Sequence, residues 1–273
     1  MPFPANLFVG TSSWSSSDWL GSFYPPNLKP GQFIEAYARK FSTVEIDSTY
    51  YSIPPPHVVA RWRDKTPEGF IFAAKIPGVI TQEKILKDCQ AEFTEFLINI
   101  SLLGDRLGPL LLQFPYFNRN VFPSRHLFDR LLKPFLQSLP KEFKFALEIR
   151  NKNWISWDFL EMLREHQVAY VLVAQAWMPS IETLAKALDL LTSDFAYVRF
   201  VGDRNAIEAK TKRWDKLIED KTPEMKVWID ELKKITDKGV KTYAFFNNHY
   251  AGFAPGSVKQ FDDLWQPSEA HLT

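Results

Sequence analysis

Thr43-Val44-Glu45-Ile46-Asp47-Ser48-Thr49-Tyr50-Tyr51 begins as an apolar strand and ends in ionisable and hydroxylated residues. Side chains alternate between the two faces of a strand, so Glu45, Asp47, Thr49 and Tyr51 share one side while Val44 and Ile46 share the other. The same design recurs at Phe145-Ala146-Leu147-Glu148-Ile149-Arg150, where Glu148 and Arg150 lie together opposite Ile149. Working outward, strand-type runs occur at Leu7–Gly10, Thr43–Asp47, Phe70–Lys75, Leu110–Phe114, Phe145–Ile149, Ala169–Val173, Ala196–Val201 and Lys241–Phe246, eight in all. Helical periodicity fills most of the gaps, at Gly31–Phe41, His57–Asp64, Glu83–Leu103, Ser124–Ser138, Trp157–His166, Thr222–Lys238 and Pro255–Leu264. Only the connection around Ser180–Leu190 is short and weakly patterned.

Strands alternating with helices imply a parallel sheet, because parallel neighbours need long crossovers. The runs are almost continuously apolar, as expected of strands covered on both faces. Eight such units in 273 residues predict an α/β fold: one (β/α)8 TIM-type barrel domain over residues 1–273, with its core at about 7–265 and room for irregularity after the sixth strand. An open doubly wound sheet is the competing reading. It usually carries a glycine-rich phosphate turn after the first strand, whereas Val9-Gly10-Thr11-Ser12-Ser13-Trp14 contains neither GxGxxG nor a P-loop.

In a parallel barrel all C-terminal strand ends meet at one mouth, where catalytic residues are carried. The runs here end in Glu45 and Asp47, in Lys75, in Gln113, in Glu148 and Arg150, and in Asn247, Asn248 and His249, while Arg199 lies near the end of the seventh. Their apolar alternates pack on helices, so the polar sets point into the barrel. Inward charge is costly unless paired or hydrated, which argues for a polar cavity. A structural ion-pair set joining Glu45 and Asp47 to Arg199 or Arg150 is the bland alternative. Trp14, Trp19, Tyr24 and Trp154 follow strand ends, where they either wall a cleft or lid the core. His57, His126, His166 and His271 fall in helical or tail positions and read as surface or packing residues.

Charge balance, with 33 Lys and Arg against 32 Asp and Glu, removes the electrostatic warrant for strong duplex nucleic-acid binding. The stretch Arg204, Lys210, Lys212, Arg213, Lys216 is interrupted by Glu208, Asp215 and Glu219 and reads as a solvated face. The single cysteine, Cys89, lies in the pattern Ile85-Leu86-x-x-Cys89-x-x-x-Phe93, which reads as a helix stripe around a buried thiol. No apolar run approaches the roughly 20 residues of a membrane span, and no leader pattern precedes Leu7, so a cytoplasmic protein without membrane association is expected. The sequence does not specify an oligomeric state.

The ordered motifs Val9-Gly10-Thr11-Ser12-Ser13-Trp14, Glu45-Ile46-Asp47-Ser48-Thr49-Tyr50-Tyr51, Leu112-Gln113-Phe114-Pro115, Glu148-Ile149-Arg150, Tyr197-Val198-Arg199-Phe200 and Phe246-Asn247-Asn248 resemble the YecE-like family, also called domain of unknown function 72. The resemblance spans residues 7 to 265 or so and implies a (β/α)8-type barrel, but no particular reaction or cofactor. The motif positions it carries over are Glu45, Ser48, Thr49, Tyr51, Lys75, Gln113, Glu148, Arg150, Arg199, Asn247 and Asn248. Three positions depart from the family pattern: Asp47 is more usually asparagine, Thr81-Gln82 replaces a Thr-His pair, and Gln175 stands where the sixth strand often ends in aspartate.

The favoured expectation is an enzyme, a hydrolase or lyase acting on a small polar, sugar-like or phosphorylated substrate. Glu45, Lys75, Glu148 and Arg150 are the candidate catalytic residues. Trp14, Asp47, Tyr51, Gln113, Arg199, Asn247 and Asn248 are the candidate substrate-binding residues. In this reading one of Glu45 and Glu148 stays protonated by burial while the other, beside Arg150, is ionised. No cofactor is expected. Mg or Mn held by Glu45, Asp47, Glu148 and His249 ranks below a metal-free mechanism, since no ligand pair has a diagnostic spacing. A non-catalytic module binding a nucleotide or single-stranded nucleic acid is the alternative.

Overall fold

The computed structural model describes residues 3–266, so His271 lies outside the described residues. Eight parallel strands form a closed barrel in the order β1 to β8. They are β1 (Leu7–Thr11), β2 (Thr43–Ile46), β3 (Ile71–Lys75), β4 (Leu107–Gln113), β5 (Phe145–Glu148), β6 (Ala169–Ala174), β7 (Phe195–Phe200) and β8 (Lys241–Phe246). Closure comes from β1 against β8, in register from Leu7↔Thr242 to Thr11↔Phe246. The helices are α1 (Phe33–Ala38), α2 (Pro56–Asp64), α3 (Gln90–Ile100), α4 (Arg125–Gln137), α5 (Trp157–Glu165), α6 (Ile181–Ala187), α7 (Arg204–Lys210), α8 (Thr222–Thr236), α9 (Asn248–Ala251) and α10 (Ala254–Trp265).

Alternation along the strands builds two cores. Inside the barrel Ala73, Leu111, Ala146, Val171, Tyr197 and Phe245 pack on one another. Between strands and helices lies the larger cluster, which includes Phe72, Leu112, Leu147, Leu172 and Phe246. The inner set settles the facing of the polar residues. Lys75, Gln113, Glu148 and Arg199 each stand two positions beyond an inner-core residue on the same strand and therefore point inward.

Two local expectations are corrected. The expected irregularity after the sixth strand is absent from the sheet, since β6 and β7 pair without a shift from Val171↔Tyr197 to Ala174↔Phe200. The register instead shifts between β3 and β4, between Phe72 and Ala74. The weakly patterned segment near Ser180 holds α6, whose first turn is capped by the Ser180 hydroxyl accepting from the Thr183 amide at 3.2 Å.

The long helix expected over Glu83–Leu103 is divided. Val79–Glu83 forms a π-helical turn, α3 begins only at Gln90, and Ser101–Arg106 closes the segment as a 3-10 turn. Between them Ile85, Leu86 and Asp88 take φ values of 47°, 65° and 46°, which no α-helix tolerates. Lys84 Nζ ties this turn by donating to the Asp88 carbonyl at 2.7 Å and to Glu92 Oε1 at 2.5 Å. Cys89 is buried as expected, but it sits at the N-cap of α3 rather than within a helical stripe. Burial is the main influence raising its thiol pKa.

Candidate functional site

Three fully buried charges form the floor of the mouth. Arg199 bonds both carboxylates: Nη2 to Glu45 Oε1 at 2.8 Å, Nε to Glu45 Oε2 at 2.9 Å, and Nη1 to Glu148 Oε2 at 2.7 Å. The Tyr197 hydroxyl donates to Glu45 Oε2 at 2.7 Å. Arg150 Nε donates to Glu148 Oε1, and Arg150 Nη1 donates to Gln175 Oε1 at 2.7 Å. Every carboxylate oxygen of the pair thus has a donor, as charge buried this deeply requires. Burial pushes the Glu148 carboxyl up, but Arg150 and Arg199 together outweigh it and hold the group down at about 2. Glu148 is therefore held ionised, and one guanidinium bridges the two carboxylates.

Nearer to solvent, Lys75 forms an ion pair with Asp47, whose side chain keeps 29% exposure against 9% for the lysine. The Lys75 Nζ also lies 5.8 Å from the centre of the Tyr50 ring. Ser48–Tyr50 forms a 3-10 turn, so the strand period stops at Ile46. In consequence Thr49 turns back, its hydroxyl donating to the Ile46 and Lys75 carbonyls at 2.9 and 2.7 Å and tying the two strand ends together. Buried polar side chains without a partner border the mouth: the Ser12 hydroxyl just beyond β1 and the Thr81 hydroxyl in the π-helical turn after β3. A π-turn at such a position often accompanies a functional site.

Several of the expected binding residues lie elsewhere. Tyr51 is 80% exposed, because the 3-10 turn rotates it away from the face shared by Glu45 and Asp47. Trp14 packs edge-on against Trp62 and Phe72 in the outer core. Trp19, Tyr24 and Trp154 are likewise buried in packing, so these rings offer no stacking platform at the mouth of the barrel. Asn248 is a fastener: its Oδ1 accepts from Trp19 Nε1 at 3.3 Å and from the Ala254 amide at 2.9 Å. Asn247 caps α9, its Oδ1 accepting from the His249 amide at 3.0 Å and lying 2.7 Å from His249 Nδ1. Gln113 is half-buried on the inner face of β4, in register with Glu148. His249 Nε2 lies 3.0 Å from Glu208 Oε1; burial, the largest influence, keeps the imidazole below its usual pKa although Glu208 acts to raise it.

Tyr197, Tyr50 and Gln175 are site residues that the reading of strand ends did not assign. Tyr197 was legible, since it precedes Arg199 by two on the same strand. The Mg or Mn donor set does not assemble, because the oxygens of Glu45 and Glu148 face guanidinium groups. Among the described residues no three His, Cys, Asp or Glu side chains converge. Nor is any helix among them long and apolar enough to cross a membrane. The basic stretch after β7 is largely paired, Arg204 with Glu208, Lys210 with Glu219 and Arg213 with Asp215.

Known proteins share the sequence and the fold. UPF0759 protein YecE of Escherichia coli (strain K12) is 35% identical over 150 residues, which cover 55% of this chain and 50% of that protein, so the chain matches about half the length of this relative. UPF0759 protein YunF of Bacillus subtilis (strain 168) is 27% identical, with 94% of each chain covered. A crystal structure of a DUF72 family protein from Thermotoga maritima MSB8 superposes with a TM-score of 0.74 at 30% identity, covering 94% of this chain and 98% of that one. The fold is shared more distantly with D-psicose 3-epimerase, at a TM-score of 0.52 and 12% identity over 94% of this chain and 95% of that one. The profile described as Protein of unknown function DUF72 matches residues 8–272, and the chain belongs to that family.

Proposed function

We propose that this barrel is an enzyme acting on a small polar substrate at its C-terminal mouth, and that its chemistry is a metal-independent proton abstraction of the lyase type. The observation that carries this reading is the division of charge at the mouth. Glu45, Arg199 and Glu148 are satisfied in the interior with the help of Tyr197 and Arg150, whereas the Lys75–Asp47 pair reaches solvent through Asp47. A hydrolase cleaving a glycosidic bond between Glu45 and Glu148 needs open space between two carboxylates. Arg199 bonds to both and fills that position.

In this mechanism the Asp47 carboxylate accepts a proton from a carbon beside a substrate carbonyl. The Lys75 ammonium and the Arg150 guanidinium hold the negative charge that develops on the carbonyl oxygen. The stored electron pair then returns as a double bond between the deprotonated carbon and its neighbour, the neighbour's carbon–oxygen bond to the leaving group breaks with its pair leaving on the oxygen, and Lys75 supplies the proton to that oxygen. Gln113 and Gln175 orient hydroxyl groups, and the Glu45–Arg199–Glu148 triad beneath keeps the floor rigid, its excess negative charge offset by Arg150. Hydroxy acids, sugar acids and sugar phosphates are the substrate classes that fit.

Thermal unfolding against a panel of such compounds tests the proposal. The wild type gains several degrees with at least one class, and Lys75→Met loses that gain while keeping its own melting temperature within about 4 °C. A gain that persists undiminished in Lys75→Met, or no gain with any class, overturns the assignment.

A further inference from the structure

We propose that the pocket between the β4–α4 and β5–α5 loops is a second binding site, for a small oxyanion carried on a flat group such as an aryl phosphate. The cavity has a volume of about 240 Å³. Its walls include Tyr116, Arg119, Lys152 and Asn153, and Phe117 and Trp154 form its floor. Arg119 and Lys152 make no ion pair or side-chain hydrogen bond among the described residues, and no carboxylate lines the cavity. The contrast with four other cavities of this protein is direct. Each of those has at least one acidic residue in its wall: Asp194 in the 710 Å³ cavity, Glu224 in the 300 Å³ one, Glu231 in the 320 Å³ one and Glu68 in the 250 Å³ one.

The site is also built to hold its shape. Asn151, 7% exposed, bridges the two loops as a strand would: Nδ2 donates to the Phe117 carbonyl at 2.8 Å, and Oδ1 accepts from the Phe117 amide at 2.9 Å. Phe117 stacks on Trp154 with ring centres 5.9 Å apart and planes 24° from parallel. Asn118 fastens the next turn by accepting from the Asn120 and Val121 amides at 2.9 and 3.2 Å. A rigid aromatic floor beneath an arginine fork, a lysine and a free amide suits an oxyanion attached to an apolar plate. Tyr116, 66% exposed, supplies a face for that plate. The inference does not depend on the chemistry assigned to Lys75 and Asp47.

Isothermal titration at low ionic strength with phenyl phosphate, and separately with inorganic phosphate, tests it on the full chain. The wild type is expected to bind phenyl phosphate one-to-one and more tightly than inorganic phosphate. The double variant Arg119→Ala/Lys152→Ala should weaken phenyl phosphate at least tenfold, and Tyr116→Ala should weaken phenyl phosphate alone. Lys141→Ala, on the opposite end of the barrel, should leave binding within about twofold. All four altered positions are exposed, so the fold is retained. No measurable binding by the wild type, or a double variant within twofold of it, overturns the proposal. Inorganic phosphate binding as tightly as phenyl phosphate overturns its aromatic part.

Discussion

Arg199 answers to two carboxylates at once, and that fixes what replacing any of the three does. Truncation to Arg199→Met strands Glu45 and Glu148, and a loss of about 3–5 kcal/mol is expected in urea unfolding. Glu148→Gln removes half of the clamp and leaves Arg150 without its carboxylate, for an expected loss of about 3 kcal/mol. A value under 1 kcal/mol for both would mean that the triad is not what holds the floor. The pH dependence has a definite sign. The Glu148 carboxyl lies at about 2 in the fold against 4.5 when free, so its stabilisation is complete above pH 4.5 and is lost as pH falls towards 2. Acid titration of stability should show a steeper decline between those values in the wild type than in Glu148→Gln. At this scale the sequence was partly legible. Glu45, Glu148 and Arg199 follow from a period of two on strands that stay regular. Tyr51 does not, because the 3-10 turn at Ser48 ends that period, and Trp14 does not, because a loop residue has no period to read.

The elements depend on close approach at particular backbone positions. A Cβ on Gly10 would lie 2.2 Å from the Thr43 carbonyl oxygen, where β1 meets β2 at Thr11↔Val44. Gly10→Ala should therefore cost about 1–3 kcal/mol in chemical denaturation, and a neutral result would mean that the two strands separate freely. Gly202 combines φ +71° with a Cβ position 2.3 Å from the His249 carbonyl, so Gly202→Ala should destabilise by a similar amount. The strands were legible because they are covered on both faces and read as apolar runs. The division of the expected helix over Glu83–Leu103 was not. Ile85 and Leu86 keep the apolar character of a helix stripe while adopting positive φ, and both pack against the core. Packing there overrides the propensity on which a periodicity reading rests.

At the scale of the molecule, β1 and β8 are hydrogen-bonded neighbours, so strands from the two ends of the barrel sequence close a single sheet. Far- and near-ultraviolet circular dichroism should report one coincident unfolding transition, and two separated transitions would contradict this organisation. The closure brings together Lys75 from β3, Glu148 from β5 and Arg199 from β7, side chains that are remote in sequence and meet only in the mouth. The reaction is tested most directly by proton NMR of a bound hydroxy acid or sugar acid in deuterated water. The account predicts that wild-type protein exchanges the hydrogen on the carbon beside the carbonyl, and that Asp47→Asn and Lys75→Met each slow this at least about a hundredfold, the range typical of a lost acid–base group. Exchange at the wild-type rate in both variants, or no exchange with a ligand that binds the mouth, would contradict it.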